Sequence, residues 1–181
     1  MAGALVVLSL STLASAQHEW DTGLIGGICG VGERAAVWER SRACLGARGD
    51  LLWGRGAPGE FAAGGFVDVG TAGFRDIVFE GGPTALLPIG PVWTGMLSAG
   101  PLVRLREAQW EPGVASWAFI GRRPFNYHGR YAMAWGFVVG YERGFGNLSG
   151  STLTMGVQLD GLVLAMPVLF AVEGARGRHS N

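Results

Sequence analysis

Charged residues are scarce in this sequence, and after residue 16 no apolar run reaches the length of a membrane-spanning helix. Only 15% of the 181 residues are Asp, Glu, Lys or Arg, whereas 49% are hydrophobic and the mean hydropathy is +0.28. A spanning helix requires about 18 or more consecutive apolar residues, so a helical membrane domain is excluded after residue 16. The composition is nevertheless too apolar for an ordinary water-soluble β domain. We therefore expect part of the surface to face something other than water.

The sequence also lacks the residue patterns of nucleic-acid, zinc and phosphate binding sites. The 14 basic and 14 acidic residues are scattered along the chain without a basic stripe, which argues against nucleic-acid binding. The 2 Cys and 3 His do not complete a zinc-binding set. The glycine pairs, such as Gly26 and Gly27, lack the strand-to-helix context of a phosphate-binding loop. We therefore expect no nucleic acid, no metal and no cofactor.

Glycine, in contrast, is abundant. The chain contains 32 Gly and 8 Pro, and each Gly inside a helix costs roughly 1 kcal/mol relative to Ala. The sequence therefore predicts strands rather than helices.

The clearest strand pattern is YAMAWGFVVGY at residues 131–141. Its odd positions are large and apolar: Tyr131, Met133, Trp135, Phe137, Val139 and Tyr141. Its even positions are nearly all small: Ala132, Ala134, Gly136, Val138 and Gly140. A tilted strand of about 9 to 11 residues crosses a bilayer, and aromatic side chains mark its two interfaces. We therefore predict a lipid-facing strand with Tyr131, Trp135, Phe137 and Tyr141 as its aromatic contacts.

The same alternation recurs along the whole chain. Candidate strands are 22–31, 43–53, 61–70, 77–87, 92–105, 114–120, 131–142 and 152–165. Gly, Pro, Asn and Asp occupy the breaks between them, as turns require. The predicted connections are 32–42, 71–76, 106–113 and 143–151 on the external side, and 54–60, 88–91 and 121–129 on the periplasmic side. The sequence thus predicts an all-β protein, an eight-stranded antiparallel up-and-down transmembrane β-barrel with both termini in the periplasm.

The first sixteen residues have the pattern of an export signal. An apolar core at 4–13 is followed by Ala14, Ser15 and Ala16, a small-x-small cleavage site that leaves Gln17 as the new N-terminus. A buried first strand and an uncleaved anchor are the alternatives. We therefore predict a signal peptide at 1–16, an outer-membrane location, and a single barrel domain at 17–181 that ends in a polar tail at 174–181.

Export gives the two cysteines a structural interpretation. Cys29 and Cys44 lie in consecutive candidate strands, opposite each other if the connecting loop is centred between Ala36 and Val37. An oxidising compartment favours a disulfide, and closing a loop of about 15 residues is worth roughly 3 kcal/mol in the chain-entropy model. Two free buried thiols are the alternative.

Polar residues on the other strand faces predict the character of the interior. The charges expected inside are Arg48, Asp50, Asp68, Glu80, Arg104, Glu142 and Asp160. Eight strands leave an interior just wide enough for side chains, and buried charges without partners are costly. We therefore predict a packed ionic plug rather than an open pore. Either face of the sixth candidate strand, 114–120, is compatible with the interior.

The strand rhythm, the aromatic stripe and the phrases CLGARGDLLWGR and WEPGVASW resemble small outer-membrane β-barrels of the OmpA/OmpX kind, over residues 22 to 173. The resemblance implies a structural or interaction protein whose barrel is surrounded by membrane lipid or lipopolysaccharide. It also implies that the external loops contact a protein partner.

Two other functions are compatible with a barrel of this size. A water-soluble exported barrel of the lipocalin type would bind one apolar ligand inside, with its large side chains pointing inward. Barrel enzymes that deacylate lipid A carry a His-x-Ser pair and a Glu further along. This sequence has His128 and Glu142, but Arg130 replaces the nucleophilic Ser. Without that hydroxyl the chemistry has no nucleophile, so the sequence predicts a protein that is not an enzyme.

Overall fold

The computed structural model describes residues 18–33, 36–54, 59–90, 92–123, 133–145 and 150–161. The strands are β1 (Glu19–Glu33), β2 (Arg40–Trp53), β3 (Ala62–Ala72), β4 (Asp76–Pro88), β5 (Thr94–Arg106), β6 (Gln109–Arg122), β7 (Trp135–Gly144) and β8 (Gly150–Asp160). Consecutive strands pair antiparallel and β8 pairs with β1, so the sheet closes on itself. The predicted eight-stranded up-and-down barrel is confirmed. No helix long and apolar enough to cross a membrane occurs among the described residues.

Side-chain alternation decides which residues face the interior. In β6, Ala115, Trp117 and Phe119 are buried, whereas Val114 and Ile120 are exposed. The burial of every second residue fits the period of two along a strand. The orientation of the sixth strand, which the sequence left open, is therefore settled with Trp117 and Phe119 inside.

The outer surface is apolar around the middle and aromatic at both ends. We call the end where β1 starts and β8 stops the proximal end, and the opposite end the distal end. Exposed aromatic residues close to the proximal end are Trp20, Trp53, Phe61, Trp93 and Trp135, and those close to the distal end are Trp38, Phe74, Trp110 and Phe145. Between them, Val67, Phe79, Leu97 and Phe137 are exposed. An apolar band between two aromatic girdles is typical of a transmembrane β-barrel.

The distal connections are shorter than predicted because the strands extend further. The segment 106–113 was expected to be a loop, but β5 and β6 are joined by Glu107 and Ala108 alone. Both residues have positive φ, 50° and 63°, as a two-residue hairpin turn requires. Trp110, predicted in the loop, therefore lies in β6 opposite Leu105.

The register of the first hairpin differs from the predicted one by two residues. Cys44 lies opposite Gly27 and Cys29 lies opposite Arg42, so the two cysteines are diagonal rather than direct neighbours. Their Cα atoms are 5.8 Å apart, and the two residues form a disulfide. This separation is within the usual range for a disulfide.

The predicted seventh and eighth strands are too long. β7 begins at Trp135 rather than at Tyr131, and Tyr131 lies outside the described residues. β8 ends at Asp160, before the predicted end at residue 165. The predicted signal peptide at 1–16, the tail at 174–181 and His128 also lie outside the described residues.

Candidate functional site in the barrel interior

The interior contains all of the charged residues that alternation placed there. Arg48, Asp50, Asp68, Glu80, Arg104, Glu142 and Asp160 are each at most 7% exposed. Five further buried charges were not among the predicted ones: Glu19, Asp21, Asp76, Glu111 and Arg123. Asp21 shares its face with Ile25 and Cys29. Extending the alternation of β1 to residues before 22 would therefore have predicted that Asp21 is buried. Arg123 directly follows β6, in a segment rich in turn residues, and no pattern marked it as buried.

Arg123 organises the charges nearest the proximal end. Its guanidinium lies 3.0 Å from Asp21 Oδ2 and 3.3 Å from Asp50 Oδ2. It also donates a hydrogen bond of 3.0 Å to the sulfur of Met96. Two carboxylates from β1 and β2 thus neutralise an arginine that is 3% exposed.

Arg48 occupies the middle of the barrel. It forms a 2.9 Å ion pair with Asp50 and donates a 2.5 Å hydrogen bond to Ser98 Oγ. Its guanidinium also stacks 4.3 Å from the centre of the Phe66 ring, an attractive cation–π distance. Because Asp50 binds both Arg48 and Arg123, the proximal and middle charges form one connected network.

Arg104 is the centre of the distal charges and is completely buried. Its Nη2 donates to Glu142 Oε2 at 2.7 Å and to Thr152 Oγ1 at 3.2 Å. Its Nη1 lies 3.6 Å from Glu111 Oε2 and donates to the Gly150 carbonyl at 3.3 Å. Strands β6, β7 and β8 thus all supply oxygen atoms to one cation from β5, which offsets the cost of burying it.

Aromatic side chains of β6 fill the space between these charged groups. Trp117 donates its indole N–H to Glu80 Oε2 at 2.6 Å. A Cβ atom at Gly140 would collide with the Trp117 ring, and one at Gly136 would collide with the Phe119 ring. The small inner face of β7 therefore exists because the adjacent strand places its largest side chains over it.

The disulfide lies in the distal half of the interior. Cys29 and Cys44 form a small buried apolar cluster with Val31 and Ala72. Thr154 Oγ1 lies 3.1 Å from Cys29 Sγ. The disulfide therefore links β1 to β2 inside the barrel, where water has little access.

A small cavity lies in the same region, with room of about 20 Å³ for a water-sized occupant. Asp68, Glu80, Glu142 and Thr152 are among the residues that line it. No three His, Cys, Asp or Glu side chains in the described ranges are arranged to hold a metal ion. The cavity is about the size of one water molecule.

The geometry also bears on the enzymatic alternative. Glu142, the acid considered for lipid deacylation, faces the interior and is bound to Arg104. It cannot reach an acyl chain on the outer surface of the barrel. The other candidate, His128, lies outside the described residues.

No protein-family model matches the chain, and no curated protein matches it. Among solved structures, the chain is similar to Ail, the attachment invasion locus protein of Yersinia pestis, with a TM-score of 0.47 and 10% identity over 80% of this chain and 97% of that one. It is similar to Neisserial surface protein A, with a TM-score of 0.48 and 9% identity over 78% and 97% of the two chains. For the outer membrane protein OprG of Pseudomonas aeruginosa the TM-score is 0.31, with 11% identity over 77% and 95%. The strand pairing itself shows that this chain is a small closed β-barrel of eight antiparallel strands.

Proposed function

We propose that the protein is an outer-membrane β-barrel with a plugged, non-conducting interior, and that its role is structural or interactive rather than transport. The observation that carries the proposal is the stacking of three buried arginines along the lumen: Arg123, Arg48 and Arg104. Each binds at least one carboxylate, and together they occupy the proximal, middle and distal levels. An eight-stranded barrel has room for little more than such side chains.

The outer surface supports membrane residence. Large apolar side chains point outward along the strands, and aromatic residues cluster near both ends. In the proposed orientation the proximal end faces the periplasm. Residues 1–16 act as the export signal and are removed by cleavage between Ala16 and Gln17. N-terminal sequencing of the envelope protein would identify that terminus.

The proposed partners are lipid, lipopolysaccharide and a protein that contacts the distal end. Arg40, Arg75 and Arg143 are exposed close to the distal strand ends, where phosphate groups of lipopolysaccharide would lie. Arginine binds phosphate well because its planar guanidinium donates several hydrogen bonds. The β5–β6 turn consists of two residues only, which is too short to recognise a protein. A protein partner would therefore contact the distal ends of the strands.

The lipocalin alternative fits the geometry less well. A pocket for an apolar ligand usually measures about 300 Å³ or more, whereas the cavity between Asp68 and Glu142 measures about 20 Å³. The large apolar residues that would line such a pocket, among them Phe79 and Phe137, face outward instead.

Conductance in planar bilayers tests the plugged interior. We expect the reconstituted protein to stay near background, because the arginine network fills the lumen. The variant Arg48→Leu should lose about 3 to 5 kcal/mol of unfolding free energy, because it leaves Asp50 short of one partner, and its conductance should also stay near background. A wide porin in the same bilayers serves as the positive control, because its channels show that conductance is detectable. Steady, well-resolved channels in the wild-type protein would overturn the proposal and make transport the leading function.

A further inference from the structure

An arginine lies between two tryptophans on the outer surface of the barrel, close to the proximal end. Arg122 of β6 lies directly opposite Trp135 of β7. Trp93 immediately precedes Thr94, which lies opposite Gly121, so Trp93 flanks Arg122 from the β5 side. All three side chains are exposed, as their outward positions require. We call Trp93, Arg122 and Trp135 the proximal girdle site.

The two indoles hold each other in place. Their ring centres are 6.1 Å apart and their planes are inclined by 72°, which is an edge-to-face contact. Their strands are two strand spacings apart, about 9.6 Å, so the rings lean toward each other over β6. The backbone of Trp93 is fixed as well, because its carbonyl accepts a 3.0 Å hydrogen bond from the Ile89 N–H. The proximal girdle site is therefore formed before any ligand arrives.

Arg122 carries a charge that the surrounding strands do not neutralise. No ion pair within the described ranges includes it, and the adjacent Arg123 points inward to two buried aspartates. β5 contains no acidic residue. The acids of β6 and β7 are Glu111 and Glu142, and both are buried in the interior. The outer face of these three strands thus presents a cation and no carboxylate, so an anion for Arg122 must come from outside the protein.

We propose that the proximal girdle site binds the headgroup of an anionic phospholipid of the phosphatidylglycerol class. The planar guanidinium of Arg122 donates two parallel N–H groups to the phosphate. Indoles favour the headgroup level of a bilayer, where their N–H groups donate to lipid oxygen atoms. A zwitterionic lipid fits less well, because Arg122 repels its ammonium group and no outward carboxylate of β5, β6 or β7 receives it. The proposal rests on the membrane residence proposed above, in which this end lies in the periplasmic leaflet.

Urea unfolding in lipid vesicles tests the site. Phosphatidylglycerol replaces a rising fraction of phosphatidylcholine with the same acyl chains, at constant ionic strength and pH. A lipid that binds only the folded state raises the urea midpoint as its fraction increases. We expect this rise in the wild-type protein and its loss in Arg122→Gln. Trp93→Leu should weaken the rise, because it removes one indole N–H and the ring that supports Trp135.

The matched control is Arg143→Gln, which removes an exposed outward arginine of β7 close to the distal end. It should keep most of the lipid dependence, whereas an equal loss in both arginine variants would indicate general surface charge and overturn the site. An equal rise with phosphatidylethanolamine in place of phosphatidylglycerol would overturn the preference for an anionic lipid. A folded wild-type barrel whose midpoint ignores the lipid composition would overturn the site alone. Failure to fold in any of these vesicles would contradict membrane residence itself.

Discussion

At the scale of single residues, the inner glycines of β7 are dictated by the side chains of β6. Trp117 and Phe119 extend over Gly140 and Gly136, where a Cβ atom would overlap their rings. The alternation of large and small residues in this strand therefore reflects two constraints. The large residues face outward, and the small ones make room for aromatic side chains inside.

Replacing Gly140 with alanine should destabilise the barrel. The new methyl group would force Trp117 away from Glu80, and overpacking of this kind typically costs about 1 to 3 kcal/mol. The free energy of unfolding, measured by urea titration in detergent micelles, gives the size of the effect. The control is Gly26→Ala, because a Cβ atom there meets only Leu45, at 3.9 Å. Equal stability of the two variants would contradict the proposed contact between Gly140 and Trp117.

The composition of the interior was predictable, but its pairing was not. Alternation is a local property, and it placed residues such as Arg48 and Glu142 on the correct face. Which carboxylate meets which arginine depends on the stagger of all eight strands around the barrel. Arg48 therefore binds Asp50 of its own strand rather than Asp68 across the strand pair. The burial of Arg123 was not predicted, because the neighbouring sequence is rich in turn residues and has no alternation.

At the scale of strands, the register of the first hairpin shows the same limit. A shift of one residue would turn every side chain to the opposite face, so alternation excludes it. A shift of two residues keeps every face unchanged, and the sequence pattern cannot detect it. The predicted loop centre was wrong by one residue, which shifts the register by two, yet Cys29 and Cys44 remained on the same face and within bonding distance.

The outward face of β7 provides a test of lipid contact. Phe137 is the next outward-facing residue of β7 after Trp135 of the proximal girdle, and it is 57% exposed. Substituting arginine at this position inside the apolar band should cost more than at a girdle, up to the roughly 2 to 4 kcal/mol of a midplane position. Phe145, in the distal aromatic girdle, is the control, since arginine at an interface costs only about 0 to 1 kcal/mol. Unfolding free energies in lipid vesicles would show the difference, and two equal costs would argue against a lipid-facing β7.

At the scale of the whole molecule, polarity is arranged in the reverse of a water-soluble protein. Ionic groups such as Arg104 and Asp50 are buried, while large apolar side chains such as Ile28 and Val67 are exposed. The fold satisfies its backbone internally through ladders between all neighbouring strands. A closed barrel with an apolar outer surface is one of the two kinds of structure that can span a bilayer.

We therefore predict that the protein requires detergent or lipid to stay folded and monomeric. Membrane fractionation should recover it in the envelope pellet, with release only after detergent is added. Circular dichroism in detergent should show a β-type spectrum. Recovery of a stable monomer from a detergent-free extract would contradict the membrane assignment and revive the soluble-barrel alternative.

The pairing of β1 with β8 has a consequence for how such a chain must assemble. The other strand pairs form between consecutive strands, whereas this one joins the first and last described strands, from Gly23 opposite Asp160 to Glu33 opposite Gly150. Until it forms, both strands present a row of bare amide and carbonyl groups, each of which costs several kcal/mol in hydrocarbon. An open sheet without this last ladder therefore has no stable place inside the bilayer. Insertion and circular closure must proceed together, and loss of either terminal strand should abolish the barrel rather than leave a smaller one.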